Sequence, residues 1–429
     1  VKDSALLAAY RLATGGLGLG GPLYLYWLGK TGHDDLSKRH ERLGRPSLSR
    51  PDGKLALLHV ASSAEALTQA TLARQLGELG FSVLFSVRSL SRGPLHPSRL
   101  PQCFRQLSPL DTPQLMARLL DHWRPDIVLL CGAETMPNLI VEASARKIPI
   151  ALANAELPAR SFGLWRRFPG FARSLLERID VCLAQTKADA RRFAILGAPN
   201  VQECGYAKYD CLPTPVDQPA LARLLARIGT RPLWVADRIY PGEEVLVLAA
   251  HRKLAGQLSG LLTVIVPHSP KRAPELAGVA AAMGLAAGTC CGDGETAPLP
   301  DVYIAHLPGE AGLFYRSGGI VFTGNSLRGG GGQNPVEAAR LGCGILHGPD
   351  IENFGEIYQA LDEAGGGAPV FDAVELAQRL ALLLSDNAAL RKMGRAAAAA
   401  AEALGGASDR IIQAIAPYIS QGDGHSAGR

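Results

Sequence analysis

At 429 residues the chain exceeds a single ordinary hydrophobic core, and its length points to two or three domains. A composition that is 47% hydrophobic and 19% charged excludes a disordered chain. The formal charge of +5 comes without a dense Lys/Arg stripe interleaved with aromatics, which excludes a nucleic-acid footprint but suits an anionic substrate or membrane surface. Eight scattered cysteines without a Cys-x-x-Cys pair read as small buried hydrophobes in a reducing cytoplasm, and no metal-ligand cluster or Asp-x-Asp stands out.

Taken in chain order, residues Leu12 to Gly29 are uncharged and end in Tyr24, Tyr26 and Trp27, but glycines and Pro22 dilute them. A shallow membrane anchor over residues 1–30 is expected, in balance with an apolar helix packed on its own domain. Lys54 to Ala61 reads as an apolar strand, and Ser62-Ser63-Ala64-Glu65 falls where that strand turns into a helix. Strands around Ser82–Val87, Asp126–Leu130, Ile148–Ala153 and Val181–Ala184 then alternate with helical patterns. That alternation predicts a parallel α/β sheet covered on both faces, with ligands at the carboxyl ends of the strands. Pro213 to Gln218 reads as a linker, after which strand–helix alternation restarts. The expected organisation is an N-terminal Rossmann-like domain over 31–212, the linker over 213–218, a second such domain over 219–420, a cleft between them, and a disordered tail over 421–429. The closing helix, Ser408–Ile419, could pack back onto the first half.

The most informative stretch is Gly324-Asn-Ser-Leu-Arg-Gly-Gly-Gly-Gly-Gln-Asn-Pro-Val-Glu337. It follows the apolar run Gly319–Thr323 and precedes a helical pattern. Glycines without side chains, leading into a helix N-terminus, leave backbone N–H groups able to hold a phosphate, and Glu337 could accept from a ribose diol. The loop lacks both the Gly-Lys-Ser/Thr ending of a P-loop and the Gly-x-Gly-x-x-Gly spacing of a dinucleotide fold.

Together with His59–Glu65, Glu134–Asn138, Ala153-Asn154-Ala155, Arg160-Ser161, Gly205–Asp210, Pro241–Glu244 and Gly348–Phe354, this loop resembles the Kdo (3-deoxy-D-manno-octulosonic acid) transferases of lipopolysaccharide assembly. The resemblance spans about Tyr10 to Ile415. It implies a GT-B glycosyltransferase at the cytoplasmic face of the bacterial inner membrane. The implied reaction is inverting, metal-independent transfer of Kdo from CMP-Kdo to a lipid A precursor, with no cofactor beyond the CMP-sugar.

Glu65 matches the family's general base. The leaving phosphate would meet Gly329, Gly330, Gly331, Gly332, Gln333 and Asn334, with Lys208, Lys271 or Arg272 as cations, and Glu337 would bind the ribose. Ser62, Ser63, Arg88, Arg92 and Arg160 are expected on the acceptor. Several positions depart from the family pattern. Pro267-His268-Ser269-Pro270 lacks an arginine suited to the donor phosphate, Gln333 replaces a histidine, and Arg238-Ile239-Tyr240 replaces Ser-Thr-His. The alternatives are the same fold with another nucleotide sugar, or a non-catalytic homologue that binds a lipid or nucleotide sugar.

Overall fold

The computed structural model describes residues 3–16, 38–89, 103–132, 135–210, 213, 216–289, 299–306 and 310–419. The chain divides into two compact units, one of residues Val1–Cys211 with Gly405–Arg429 and the other Leu212–Leu404.

The first unit is built on seven strands, β1 (Lys54–Ser62), β2 (Phe81–Ser89), β3 (Phe104–Leu107), β4 (Ile127–Cys131), β5 (Ile150–Ala155), β6 (Val181–Ala184) and β7 (Val201–Glu203), ordered β3-β2-β1-β4-β5-β6-β7. All pair in parallel. Side-chain alternation divides β1 between two cores. Leu55 and Leu57 join Met116, Leu119, Trp123, Leu139 and Leu175 on one face, while Ala56, Leu58 and Val60 join Leu72, Leu76, Ile411 and Ile415 on the other. A fully buried leucine of this kind contributes about 1.5–3 kcal/mol.

The second unit repeats the plan with β8 (Leu233–Ile239), β9 (Leu262–Pro267), β10 (Ala287–Thr289), β11 (Val302–Ile304), β12 (Ile320–Thr323), β13 (Gly344–His347) and β14 (Gly367–Pro369). Its order is β10-β11-β9-β8-β12-β13-β14. In each sheet the chain works outward from a central strand and then returns to that strand's other side. The reversal falls between β1 and β4 in the first unit and between β8 and β12 in the second. Consecutive connections leave in opposite directions there, opening a crevice at the carboxyl ends of the strands.

Sequence periodicity missed β3, β10 and β14, which are only three or four residues long, and the helices Ala159–Trp165 and Glu310–Gly318. The helix that follows β1 starts at Ser63 and is broken at Gln69 into Ser63–Thr68 and Ala70–Glu78.

The final helix, Ala407–Ile419, is part of the first unit, whereas the reading of 219–420 as one domain included it in the second. The physical cause is Asp210. Its buried carboxylate accepts from the N–H groups of Gly406 (2.6 Å), Ala407 (3.3 Å) and Ser408, while Thr71 donates to its carbonyl at 2.7 Å. A side chain nearly two hundred residues away thus caps this helix N-terminus.

A helix over residues 5–16 docks on the same unit. Leu7 is buried, Tyr10 donates to Asp111 at 2.8 Å, Arg11 pairs with Glu142 at 2.8 Å, and Asn138 donates to Thr14 at 3.1 Å. Burial and the adjacent Asp111 push the Tyr10 hydroxyl pKa up. The start of the segment expected to meet a membrane therefore packs on its own domain, and the remainder lies outside the described residues, as does the tail 421–429. Among the described residues no helix is long and apolar enough to cross a membrane.

Replacing Asp210 with alanine should remove the cap and leave three buried N–H groups without a partner. The expected cost is about 3 kcal/mol. Denaturant unfolding of the full chain should show an earlier first transition, with Asp210→Asn intermediate.

Candidate functional site

At the first unit's crevice, Ser62 ends β1 in extended conformation and caps the short helix, its Oγ accepting from Glu65 N at 3.2 Å. The Glu65 side chain folds back so that Oε2 accepts from Ala61 N at 2.8 Å. Its other oxygen lies against Gly132, the residue that follows β4, which has φ +73°. A Cβ at Gly132 would collide with that oxygen, so a glycine is required both for the left-handed backbone and for the approach of the carboxylate. Glu65 is thus fixed by the helix start and lies at the point where strand order reverses. Its charge is felt by Cys131, whose thiol pKa is pushed well up by burial first and by Glu65 second.

Of the residues expected on the acceptor, Ser63 is buried, Arg88 is exposed at the end of β2, and Arg160 is exposed on helix Ala159–Trp165. Arg92 and Glu134 lie outside the described residues. His59 in β1 is fully buried with Nδ1 3.4 Å from Ser86 Oγ, and burial followed by Arg88 and Arg42 lowers its pKa to about 4. It is a neutral core histidine. Lys208, expected on the donor, belongs to the first unit, where its ammonium sits over the rings of Tyr206 (4.9 Å) and Tyr209 (5.2 Å).

In the second unit the glycine loop differs in one respect from the sequence-based picture. Four of its backbone N–H groups are committed to carboxylates of the same unit. Glu243, the first residue of helix Glu243–Ala255, is buried and accepts from Asn325 N (2.7 Å), Ser326 N (3.1 Å), Leu327 N (3.2 Å) and Tyr240 N (3.1 Å). Asp350 accepts from Gly329 N, and Asn325 O accepts from Gly332 N at 2.7 Å.

The glycines permit close packing. Side chains at Gly330 and Gly331 would overlap the amides of Asn325 and Asn353, and Gly331 and Gly332 have φ +79° and +77°. The helix that follows is a single five-residue turn, Val336–Arg340, with Asn334 Oδ1 accepting from Val336 N at 3.0 Å.

Gln333 links the loop to the end of β8. Its Oε1 accepts from Arg238 Nη1 at 3.3 Å, and its Nε2 lies 3.5 Å from the Tyr240 hydroxyl. Tyr240 stacks on His268, with centroids 4.3 Å apart and planes 26° apart. Arg238 adopts φ +52° and keeps its side chain 40% exposed. Beside it Asp237 is buried, with Oδ1 lacking a partner among the described residues, and its pKa is raised by burial, with Glu337 adding to the effect. Glu337 is half-buried, and its charge adds to the upward pKa shifts that burial imposes on Asp237 and Tyr315.

Of the other expected cations, Lys271 is exposed, but Arg272 is committed elsewhere. Its guanidinium binds Glu244 (3.2 Å) and Glu275 (2.8 and 3.0 Å) and is almost fully buried. That network staples the 3-10 turn after β9 to helix Glu243–Ala255, leaving no guanidinium face for a phosphate. Arg328, whose side chain covers Gly242, and Arg238 are the cations that sequence reasoning did not place here. Glu243 was also missed as the loop's organiser, although a glutamate three residues after Tyr240 at a helix start is a capping signal.

Residues 37–211 match the family model described as 3-deoxy-D-manno-octulosonic-acid transferase (kdotransferase). The chain is 27% identical over 401 residues to a probable mitochondrial 3-deoxy-D-manno-octulosonic acid transferase of Arabidopsis thaliana, covering 90% of each. It is also 27% identical over 405 residues to the enzyme of that name from Haemophilus influenzae, covering 90% of this chain and 92% of that one. Over about nine-tenths of its length the chain is thus similar to Kdo transferases. Its overall fold is of GT-B type. A UDP-GlcNAc 2-epimerase of Neisseria meningitidis, 16% identical, superposes with a TM-score of 0.57 over 85% of this chain and 100% of that one. The segment that matches the family model is the one that holds Glu65, whereas Arg238, Tyr240, His268 and Gln333 meet one another in the other unit.

Substituting Glu243 with alanine should release four N–H groups and loosen the glycine loop, costing about 3 kcal/mol in the second unit. Denaturant unfolding should show this. Nucleotide affinity, measured by calorimetry, should fall at least about tenfold, since the loop loses its fixed shape.

Proposed function

We propose that this glycosyltransferase moves Kdo from CMP-Kdo to a lipid A precursor, with inversion and without a metal, at the cytoplasmic face of the bacterial inner membrane. The observation that carries the reading is the Glu65 carboxylate, fixed through Ala61 N–H at the strand-order reversal with one oxygen turned to Gly132. A carboxylate held there can take a proton from an acceptor hydroxyl.

In the reaction so read, the acceptor oxygen attacks the anomeric carbon from the face opposite CMP. The bond from that carbon to the phosphate oxygen breaks as the new glycosidic bond forms, and the acceptor proton passes to Glu65. The departing CMP phosphate gains charge, which Arg238, Lys271 and the remaining N–H groups of Gly330 to Asn334 would offset. Glu337 would accept from the ribose. Ser63, Arg88, Arg92 and Arg160 would meet the acceptor, and Ser62 would hold the helix that carries Glu65. The exposed Leu6 and Leu12 on the helix over residues 5–16 fit a shallow membrane contact beside this unit.

A second reading keeps the chemistry and changes the sugar. It is favoured by the joined substitutions Arg238, Tyr240, His268 and Gln333, which alter the lining of the second crevice as a group.

Glu65→Gln keeps an oxygen for Ala61 N–H and removes the base. Transfer from CMP-Kdo to a lipid A precursor should fall by about 10²–10⁴-fold with CMP affinity and folding unchanged. Activity within a few-fold of the parent would contradict the assignment of Glu65 and favour a role in helix capping alone.

A further inference from the structure

Tyr358, on helix Gly355–Glu363 of the second unit, is fully buried, yet its hydroxyl reaches the glycine loop. It lies 2.6 Å from the Gln333 carbonyl oxygen and 2.7 Å from Oγ1 of Thr323, the last residue of β12. A carbonyl can only accept, so the phenol's single proton goes to Gln333, and the Thr323 hydroxyl can donate in turn. Burial pushes the phenol pKa up, so it remains a donor at neutral pH.

The ring is held on more than one side. It packs on His347, with centroids 4.5 Å apart, and His347 is itself fixed between the Gly348 carbonyl (2.7 Å from Nδ1) and the Asp362 carboxylate (3.1 Å from Nε2). The ring also meets Gly332, where a Cβ would come within 3.2 Å of its Cε2.

What this hydroxyl fixes is the main chain of Gln333. The bonding of helix Val336–Arg340 begins at Pro335, whose carbonyl accepts from Ala339 N at 2.9 Å, so the Gln333 carbonyl takes its partner from outside that helix. Just before it, Gly332 N donates to Asn325 O at 2.7 Å. With the chain held at both points, the Gln333 side chain meets Arg238 Nη1 through Oε1 at 3.3 Å and lies beside Tyr240, which stacks on His268. A glutamine has several rotamers to lose, and a fixed main chain narrows them before a ligand arrives.

We infer that Tyr358 is a positioning residue for the donor's phosphate: it holds Gln333, and Gln333 orients the Arg238 guanidinium. The inference rests on the reading above, in which Arg238 offsets the charge of that phosphate. Tyr358 acts only through its neighbours, since its side chain is buried.

Tyr358→Phe keeps the ring and removes the bond to Gln333. In calorimetry on the full chain, its CMP affinity should fall about five- to tenfold, whereas affinity for cytidine, which brings no phosphate to Arg238, should stay within about twofold. In a Gln333→Ala background, adding Tyr358→Phe should change CMP affinity by less than about twofold, because the two residues act in one chain of contacts. Thr323→Val removes the phenol's other neighbour and serves as the control for lost stability. It should shift the unfolding midpoint about as far as Tyr358→Phe does and leave the ratio of CMP to cytidine affinity as in the parent.

Equal loss of CMP and cytidine affinity in Tyr358→Phe, or losses that add in the double variant, would overturn the inference. If the parent chain prefers another nucleotide, the CMP-Kdo reading fails alone, and the same comparison with that nucleotide and its nucleoside decides the role of Tyr358. A parent chain that binds no nucleotide contradicts both.

Discussion

Strand order reverses once in each sheet, beside β1 in the first unit and beside β8 in the second, and most of the candidate chemistry sits on the connections that diverge there. The reversal creates a concave place but does not furnish it. In the first unit the furnishing is a helix start, where Ser62 Oγ accepts from Glu65 N, the Glu65 carboxylate accepts from Ala61 N, and Gly132 gives way to that carboxylate. In the second it is a loop drawn onto the buried carboxylate of Glu243. Both crevices thus use a glutamate near a helix N-terminus for different ends. Glu65 keeps one oxygen at a glycine, and Glu243 commits both to backbone N–H groups.

This has a consequence for how an anionic donor could be held. A glycine-rich loop before a helix suggests a ring of open N–H groups, yet here Glu243, Asp350 and the Asn325 carbonyl already take several of them. The following helix is too short for a sizeable dipole. Charge neutralisation falls instead to side chains. Arg272 is locked between Glu244 and Glu275, which leaves Arg238, Arg328 and Lys271 as the exposed cations on that unit's loops. Arg238 is held at φ +52° by a backbone whose carbonyl packs on Gly324, a strained geometry that fixes where the guanidinium emerges.

The α/β class and most long elements were legible in the sequence because parallel strands buried on both faces read as apolar runs, as β1, β4 and β5 do. The position of Glu65 between an apolar strand and a helix start was legible, whereas its role was implied only by the resemblance to Kdo transferases. Short edge strands such as β10 and β14 carry too few residues to show a period. The contacts that decide the site's detail are long-range. Glu243 meets Asn325 across 82 residues and Asp210 caps a helix 196 residues on, and local spacing does not encode either pairing. Arg272 shows the same limit, since its neighbours in sequence gave no sign that Glu244 would share it.

The central claim is the proposal that this chain takes its sugar from a cytidine monophosphate donor. Calorimetric titration of the purified chain with CMP, and then with UMP, UDP and GDP, tests it most directly. The account predicts that CMP binds at least about tenfold more tightly than the others, a margin that one or two base-specific hydrogen bonds supply. Preference for another nucleotide, or no binding of any, would contradict it and leave only the fold standing.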